Sequence, residues 1–260
     1  MTTKFEASIT LGYDLDKWHL HGEKLPISIK LSSTVNSHTL ICGMSGSGKS
    51  YFEQLFLAKL TTQLHIGNHS NMEQYSSEFY FSDFKADDDF EYLRNCAKYR
   101  SHIRTLELLD IVYERMNARI SGNDLTRNPV TLVWDEYVAN ILYLLKNDKK
   151  VAEATMSKIS EILLMGRSKN VRYVCSVQRP DALVFPLGSR LNYGIVVILG
   201  AAIKSIYEML IPDHRDQVKD REFGTGEGVV VFQGNELRFI KVPTINNYEK
   251  LKQICVQALS

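Results

Sequence analysis

The stretch His38-Thr39-Leu40-Ile41-Cys42-Gly43-Met44-Ser45-Gly46-Ser47-Gly48-Lys49-Ser50 runs from a short apolar segment into a glycine-rich loop. Gly43 to Ser50 fits the spacing GxxxxGK[ST], and the residues after it, with Phe52, Leu55, Phe56 and Leu60 on one face, predict a helix from Lys49 to about Leu64. Strand, glycine loop and helix in that order are the setting a phosphate-binding loop requires. Its glycines let backbone N–H groups turn toward phosphates, and the helix N-terminus adds positive potential. The cradle expected from this reading is Gly43, Met44, Ser45, Gly46, Ser47, Gly48, Lys49, Ser50 and the adjoining Tyr51. Lys49 is placed to reach the β- and γ-phosphates of ATP, and the Ser50 hydroxyl to ligate magnesium (Mg2+).

Such a loop needs a second, acidic position. Val130-Thr131-Leu132-Val133-Trp134-Asp135-Glu136 supplies it at the end of a β-branched apolar run. Asp135 is expected to hold the metal, directly or through water. Glu136 is expected to act as the general base on the attacking water, a pairing that favours an ATPase over a GTPase switch. The apolar run Val171 to Val177 is the candidate for a strand inserted between the loop strand and the Asp135 strand. Gln178 then ends that strand near the γ-phosphate, where an amide can sense the phosphate. A plain strand-end turn residue is the other reading of Gln178 at this point.

Outward from these motifs, elements alternate between strand and helix, which predicts a mostly parallel sheet with helices on both faces. Phe79 to Phe81 and Tyr193 to Leu199 read as further strands, and Ile103 to Ile120 and Val151 to Met165 as helices. Val229 to Phe232 and Leu237 to Ile240 form a late β-hairpin around Gly234 and Asn235, and Asn246 to Leu259 a closing helix. Residues 1 to 37, with alternating Ile27, Ile29 and Leu31, form a small β-rich N-terminal lead-in, and Gly67 to Ser77 is turn-like. The expected division is therefore 1–37, a P-loop domain over 38–245, and a helix over 246–260.

The 260 residues are 44% hydrophobic with a formal net charge of +1, enough apolar content for a core and no global mark of a nucleic-acid binder. Four cysteines lie without metal-ligand spacing and are expected as buried thiols. The N-terminus has no signal-peptide core and no run reaches bilayer length, so a soluble, cytoplasmic chain without membrane insertion is expected. His19, His21, His65 and His69 lack a completing ligand set and read as surface histidines, and Lys146, Lys149 and Lys150 as a solvated helix terminus.

Several dispersed stretches together resemble the motor domain of the FtsK/SpoIIIE family of DNA translocases. His38 to Ser50 resembles the family P-loop, Ser82-Asp83-Phe84-Lys85 its Asp-Pro-Lys strand end, and Tyr113-Glu114-Arg115-Met116 its Glu-Arg helix. Met165-Gly166-Arg167-Ser168 through Val177-Gln178-Arg179-Pro180 resembles the segment ending in Gln-Arg-Pro, and Gly226-Glu227-Gly228 the opening of the late hairpin. The resemblance implies a RecA-like P-loop NTPase of the class with an additional catalytic glutamate (ASCE), working as a homo-oligomer, a hexameric ring around double-stranded DNA. It also implies Arg167 as an arginine finger toward a neighbour's γ-phosphate, Lys204 as a second basic residue across the interface, and Arg179 and Arg190 as DNA contacts. For Arg190 a solvated surface charge is the alternative.

Phe84 departs from the family proline. The family's membrane-anchoring region and a winged-helix domain after Pro243 are missing from the match, so direction on DNA is expected to be unread or set by a partner. A relaxase, a replication initiator or a membrane protein are the partners to expect in plasmid or mobile-element transfer. Two other functions stay open here, a coupling or secretion-type scaffold ATPase that recruits protein substrates, and a single-strand helicase.

Overall fold

The structure is a computed structural model and describes residues 8–30, 37–65, 77–185 and 189–260. Leu31, the segment 67–76 and the His69 position lie outside the described residues, as does the His65 side chain. In chain order the elements are β1 (Ser8–Asp14), α1 (Leu15–His21), β2 (Pro26–Lys30), β3 (Thr39–Gly43), α2 (Lys49–His65), β4 (Glu78–Asp83), β5 (Tyr99–Ser101) and α3 (Thr105–Ser121). There follow β6 (Val130–Asp135), α4 (Tyr137–Asn147), α5 (Lys149–Met165), β7 (Val171–Val177), β8 (Ile195–Leu199), α6 (Lys204–Leu210) and α7 (Arg215–Val218). The chain ends in β9 (Glu227–Phe232), β10 (Glu236–Lys241) and α8 (Tyr248–Leu259).

These strands make one 10-stranded sheet in the order β2-β1-β10-β9-β8-β3-β7-β6-β4-β5. From β8 to β5 the neighbours are parallel, and β9, β10, β1 and β2 continue the sheet antiparallel. Every residue of β3, β6, β7 and β8 is buried, as apolar runs covered on both faces must be. Alternate residues feed two cores: Leu40 and Cys42 point toward α3, α4 and α5, whereas Ile41 points toward α2 and α8. The N-terminal strands share that second core through Ile9, Leu11, Ile27 and Ile29, so the lead-in is an extension of the sheet.

The inserted strand is where the sequence placed it: β7 pairs with β3 on one side and β6 on the other. All four cysteines are buried and free. Gly228 passes so close to β8 that an added Cβ would stand 2.0 Å from the Ile198 carbonyl, so this crossing admits no side chain. Arg115 pairs with Glu78 of β4 at 3.4 Å and with Asp124 at 3.5 Å, which ties α3 to the sheet through the Glu-Arg stretch.

Helices α1, α4, α6 and α7 went unread in the sequence. Three of the four, α1, α6 and α7, span seven residues or fewer, too short for a helical period to declare itself. Helix α4 starts directly on Glu136, so its first turn is masked by the acidic pair. Among the described residues, no helix is long and apolar enough to cross a membrane.

At the opposite end of β3 from the loop, His38 is buried, and its Nδ1 accepts the Tyr173 N–H at 3.1 Å. Burial, helped by Arg172 and Arg167, pushes the His38 pKa down to about 3 from 6.5. The unfolded chain therefore takes up this proton first as pH falls. The stability is whole above pH 6.5 and drains toward pH 3, with a slope of at most about 1.4 kcal/mol per pH unit from this group. Urea midpoints measured from pH 4 to 7 should fall less steeply with acidification in His38→Gln than in the wild type.

Candidate functional site: a phosphate-binding loop and its acidic partner

The carboxyl ends of β3, β7 and β6 lie side by side, and the residues that follow them converge. Gly46 and Gly48 take φ of 80° and 88°, left-handed conformations that turn the loop between β3 and α2 inward. The Ser47 N–H bonds the Met44 carbonyl at 3.0 Å, and the helix ladder starts with Phe52 N–H to Gly48 carbonyl at 2.9 Å. A second loop clasps this one from outside. Gly226 N–H donates to the Ser47 carbonyl at 2.8 Å and the Thr225 hydroxyl to the Gly46 carbonyl at 2.9 Å. The Gly-x-Gly stretch thus secures the phosphate loop as well as opening the hairpin.

Lys49, only 7% exposed, donates to Asp135 Oδ1 at 2.5 Å and to the Ser176 hydroxyl at 3.0 Å, and stands 3.3 Å from Glu136 Oε1. Burial works against its charge, but Asp135, Glu53 and Glu136 outweigh that and hold the Lys49 pKa above its ordinary value. The register explains the convergence: Trp134 faces Cys175 across β6 and β7, which sets Asp135 beside Ser176. Glu136 takes a left-handed φ of 57° as it leaves β6, and both consecutive carboxylates reach the Lys49 ammonium. Its other oxygen, Oε2, receives Lys85 at 3.1 Å.

Two participants were missed by sequence reading. Glu53 lies four residues after Lys49, on the buried face shared with Phe56 and Leu60, and is 1% exposed. Burial and the neighbouring Asp135 raise its carboxyl well above the usual range. An acid at i+4 from the loop lysine on an apolar face is the signal that could have found it. Ser176, a buried hydroxyl in an apolar strand, carried no signal of its own.

The remaining expected residues divide by place. Register Cys42 to Val177 puts Gln178 beside Gly43, at the loop's mouth, with the Cys42 thiol 3.8 Å from its carbonyl. Arg179 follows it, exposed on the same rim. Lys204 opens α6 just past the end of β8, its side chain 82% exposed and 3.5 Å from Glu208. Arg190 is half-buried and donates to the Met209 carbonyl at 2.8 Å, so part of its guanidinium braces α6. Tyr51 is tied by its hydroxyl to the Pro243 carbonyl at 3.3 Å and to the Ile245 N–H, which anchors α2 to the segment after β10. Arg167 is exposed in the turn before β7, at the far end of that strand from Gln178 and near His38. Seven strand residues separate the two ends, roughly 23 Å, so Arg167 does not join its own chain's loop.

Ser50 and Asp135 are hard oxygen donors, the set that suits magnesium, which keeps most of its ligands from phosphate and water. No cluster of three or more His, Cys, Asp or Glu forms a metal cage among the described residues, and this ion does not need one. His19 contacts Glu227 at 3.2 Å.

Fold and site define a RecA-like P-loop ATPase domain with a strand inserted between loop and acidic strands. Residues 18–68 match the family described as Helicase HerA, central domain. The chain is 26% identical over 223 residues to the FtsK domain-containing protein YdcQ of Bacillus subtilis, covering 84% of this chain and 45% of that protein. In fold it is similar to the pCW3 conjugation coupling protein TcpA, at TM-score 0.70 and 17% identity over 96% of this chain and 70% of that one. It is also similar to the Type VII secretion ATPase EccC of Thermomonospora curvata, at TM-score 0.65 and 18% identity over 98% of this chain and 31% of that one. These likenesses agree with the FtsK/SpoIIIE-type motor domain that the motifs resemble.

Lys49→Ala removes the cation expected to meet the phosphates and strands Asp135 as an unpaired buried charge. Magnesium-ATP should raise the melting temperature of the wild type and not of this variant, with nucleotide affinity lower by about 10- to 100-fold. Glu136→Gln should keep the affinity and lose turnover by about 10²-fold or more, checked by nucleotide retention on the isolated protein.

Proposed function

We propose that this chain is an ATP-driven translocase of double-stranded DNA, acting in the transfer or replication of a plasmid or mobile element. The observation that carries the reading is the junction of Lys49, Asp135 and Glu136 with Gln178 and Arg179 on one rim. Residues that would bind and cleave ATP are there one residue away from a cation free to meet a polyanion. In this reading the loop N–H groups and Lys49 take the phosphates, and Lys49 leaves Asp135 to do so. Ser50 and Asp135 would hold magnesium, which would supply positive charge against the phosphates. Glu136 takes the proton of the water aimed at the γ-phosphorus, and Gln178 reports whether that phosphate is present.

Arg167 supports a shared site. A guanidinium at the wrong end of its own sheet has no role in its own pocket, but a ring would bring it, and more loosely Lys204, to a neighbour's γ-phosphate. A hexameric ring also reconciles DNA binding with a net charge of +1, because one or two cations per subunit, Arg179 and Arg190, add around the channel. The partition into a lead-in over 1–37, a motor over 38–245 and a closing helix belongs to the same proposal, as does recruitment in the cytoplasm by a relaxase, an initiator or a membrane protein.

The likeness to a secretion ATPase favours one rival, a coupling ATPase whose cargo is protein. Duplex DNA decides between them. ATP turnover should rise with duplex more than with single strands, and the stimulated part should shrink in Arg179→Ala and Arg190→Ala; a rate indifferent to duplex sinks the translocase reading. Mixing Arg167→Ala with Lys49→Ala subunits should restore part of the activity that each lacks alone, through interfaces that combine an intact loop with an intact arginine.

A further inference from the structure

Both oxygens of the proposed base are occupied. Lys49 faces Glu136 Oε1 at 3.3 Å, and Lys85 meets Oε2 at 3.1 Å. The two lysines differ in what nucleotide binding does to them. Lys49 has phosphates to go to, whereas Lys85 sits on the loop after β4, with its side chain 39% exposed, and is not part of the phosphate cradle. Filling the site therefore frees one oxygen of Glu136 and leaves the other capped.

The loop that carries Lys85 is held to the acidic strand. The Phe84 N–H donates to the Asp135 carbonyl at 3.5 Å, and the Asp87 N–H donates to Asp83 Oδ2 at 3.1 Å. Asp83 Oδ2 also accepts the Tyr99 hydroxyl at 2.7 Å, and Arg94 donates to the Ala86 carbonyl at 2.9 Å. On the outside, the Phe84 ring packs against His102 at 5.2 Å and Tyr143 at 5.6 Å, the latter on the helix that Glu136 begins. Ala86, His102 and Glu136 all have left-handed φ, at 55°, 53° and 57°, so three strained residues meet around one ion pair. Strain of this kind persists only where the surroundings hold it.

We propose that Lys85 is a positioning residue that restrains Glu136: it holds the carboxylate turned to the β4 loop, and productive geometry requires the loop to release it. The inference rests on Glu136 being the base of the reaction proposed above. In that reaction the carboxylate must present an oxygen to the attacking water, and an ammonium held on Oε2 fixes the carboxylate's orientation and lowers the basicity of the freed Oε1. Phe84 in place of the family's proline gives the loop a ring with which to grip His102 and Tyr143, so movement of that face is transmitted to Lys85 through one peptide unit.

The test is steady-state ATP turnover of the full chain with magnesium and without DNA. Lys85→Ala should raise kcat by about two- to ten-fold, the scale on which a half-exposed ion pair competes, while KM for ATP stays unchanged. Lys85→Met, which keeps the stem and loses the charge, should do the same, and Lys85→Arg should return to the wild-type rate. A kcat that stays level or falls in Lys85→Ala and Lys85→Met, with wild-type turnover measurable, overturns the restraint and leaves the ATPase reading standing. So does a Lys85→Arg rate as high as that of Lys85→Ala. If the wild type binds nucleotide but does not turn it over, and the Lys85 variants do not either, the proposed function falls and this inference with it.

Discussion

The contact between Lys49 and Asp135, 2.5 Å long and almost wholly out of water, joins the first residue of α2 to the last residue of β6. An ammonium and a carboxylate buried this deeply are costly unless each is fully met, so the surroundings are built to meet them. Ser176 accepts from the ammonium on β7, Glu53 adds an acid from one turn along α2, and Glu136 completes the ring from the next residue of the chain. Two neighbouring strands, β6 and β7, and the loop helix are thus held in one arrangement by one cation. The same cation is the group that would meet phosphate, so ligand binding and the integrity of the site are linked.

The clasp at the other side of the loop has a different physical basis. Gly226 and Thr225 bond to the carbonyls of Ser47 and Gly46, and Val242 N–H bonds the Gly226 carbonyl at 2.7 Å. These are backbone interactions made possible by close approach, and the bare Gly228 lets β9 lie against β8. The antiparallel half of the sheet, which brings in β10, β1 and β2, thereby buttresses the phosphate loop. That gives the N-terminal strands a part in the site, although none of their residues faces it.

The path from β4 through Phe84 and Lys85 to Glu136 links the acidic strand to the outer face of the molecule. Asp83 lies beside Asp135 in register, and burial, with Asp135 adding, raises its carboxyl to about 6 against an ordinary 3.8. Against that shift, Asp83 Oδ2 accepts the Tyr99 hydroxyl and the Asp87 N–H, bonds that favour the charged carboxylate and anchor the loop's start. A strand end with this much hydrogen bonding can carry a lysine to a fixed place.

The sequence by itself determined the glycine loop, the acidic strand end and the inserted strand, because each is a local pattern: a fixed spacing, a run of β-branched residues, or an apolar run long enough for one strand. It also showed the late hairpin, whose signals lie within a few residues of one another. Only the tertiary structure decided that Glu53 and Ser176 share the site, since one is an acid on a helix face and the other a serine in a strand, and neither has a pattern. It alone put Lys85 on Glu136, because that contact spans 51 residues of chain and depends on β4 pairing with β6. It alone set Arg167 at the far end of its strand. Local spacing specifies chemistry that one segment can perform; register, burial and the crossing of distant strands specify which segments meet.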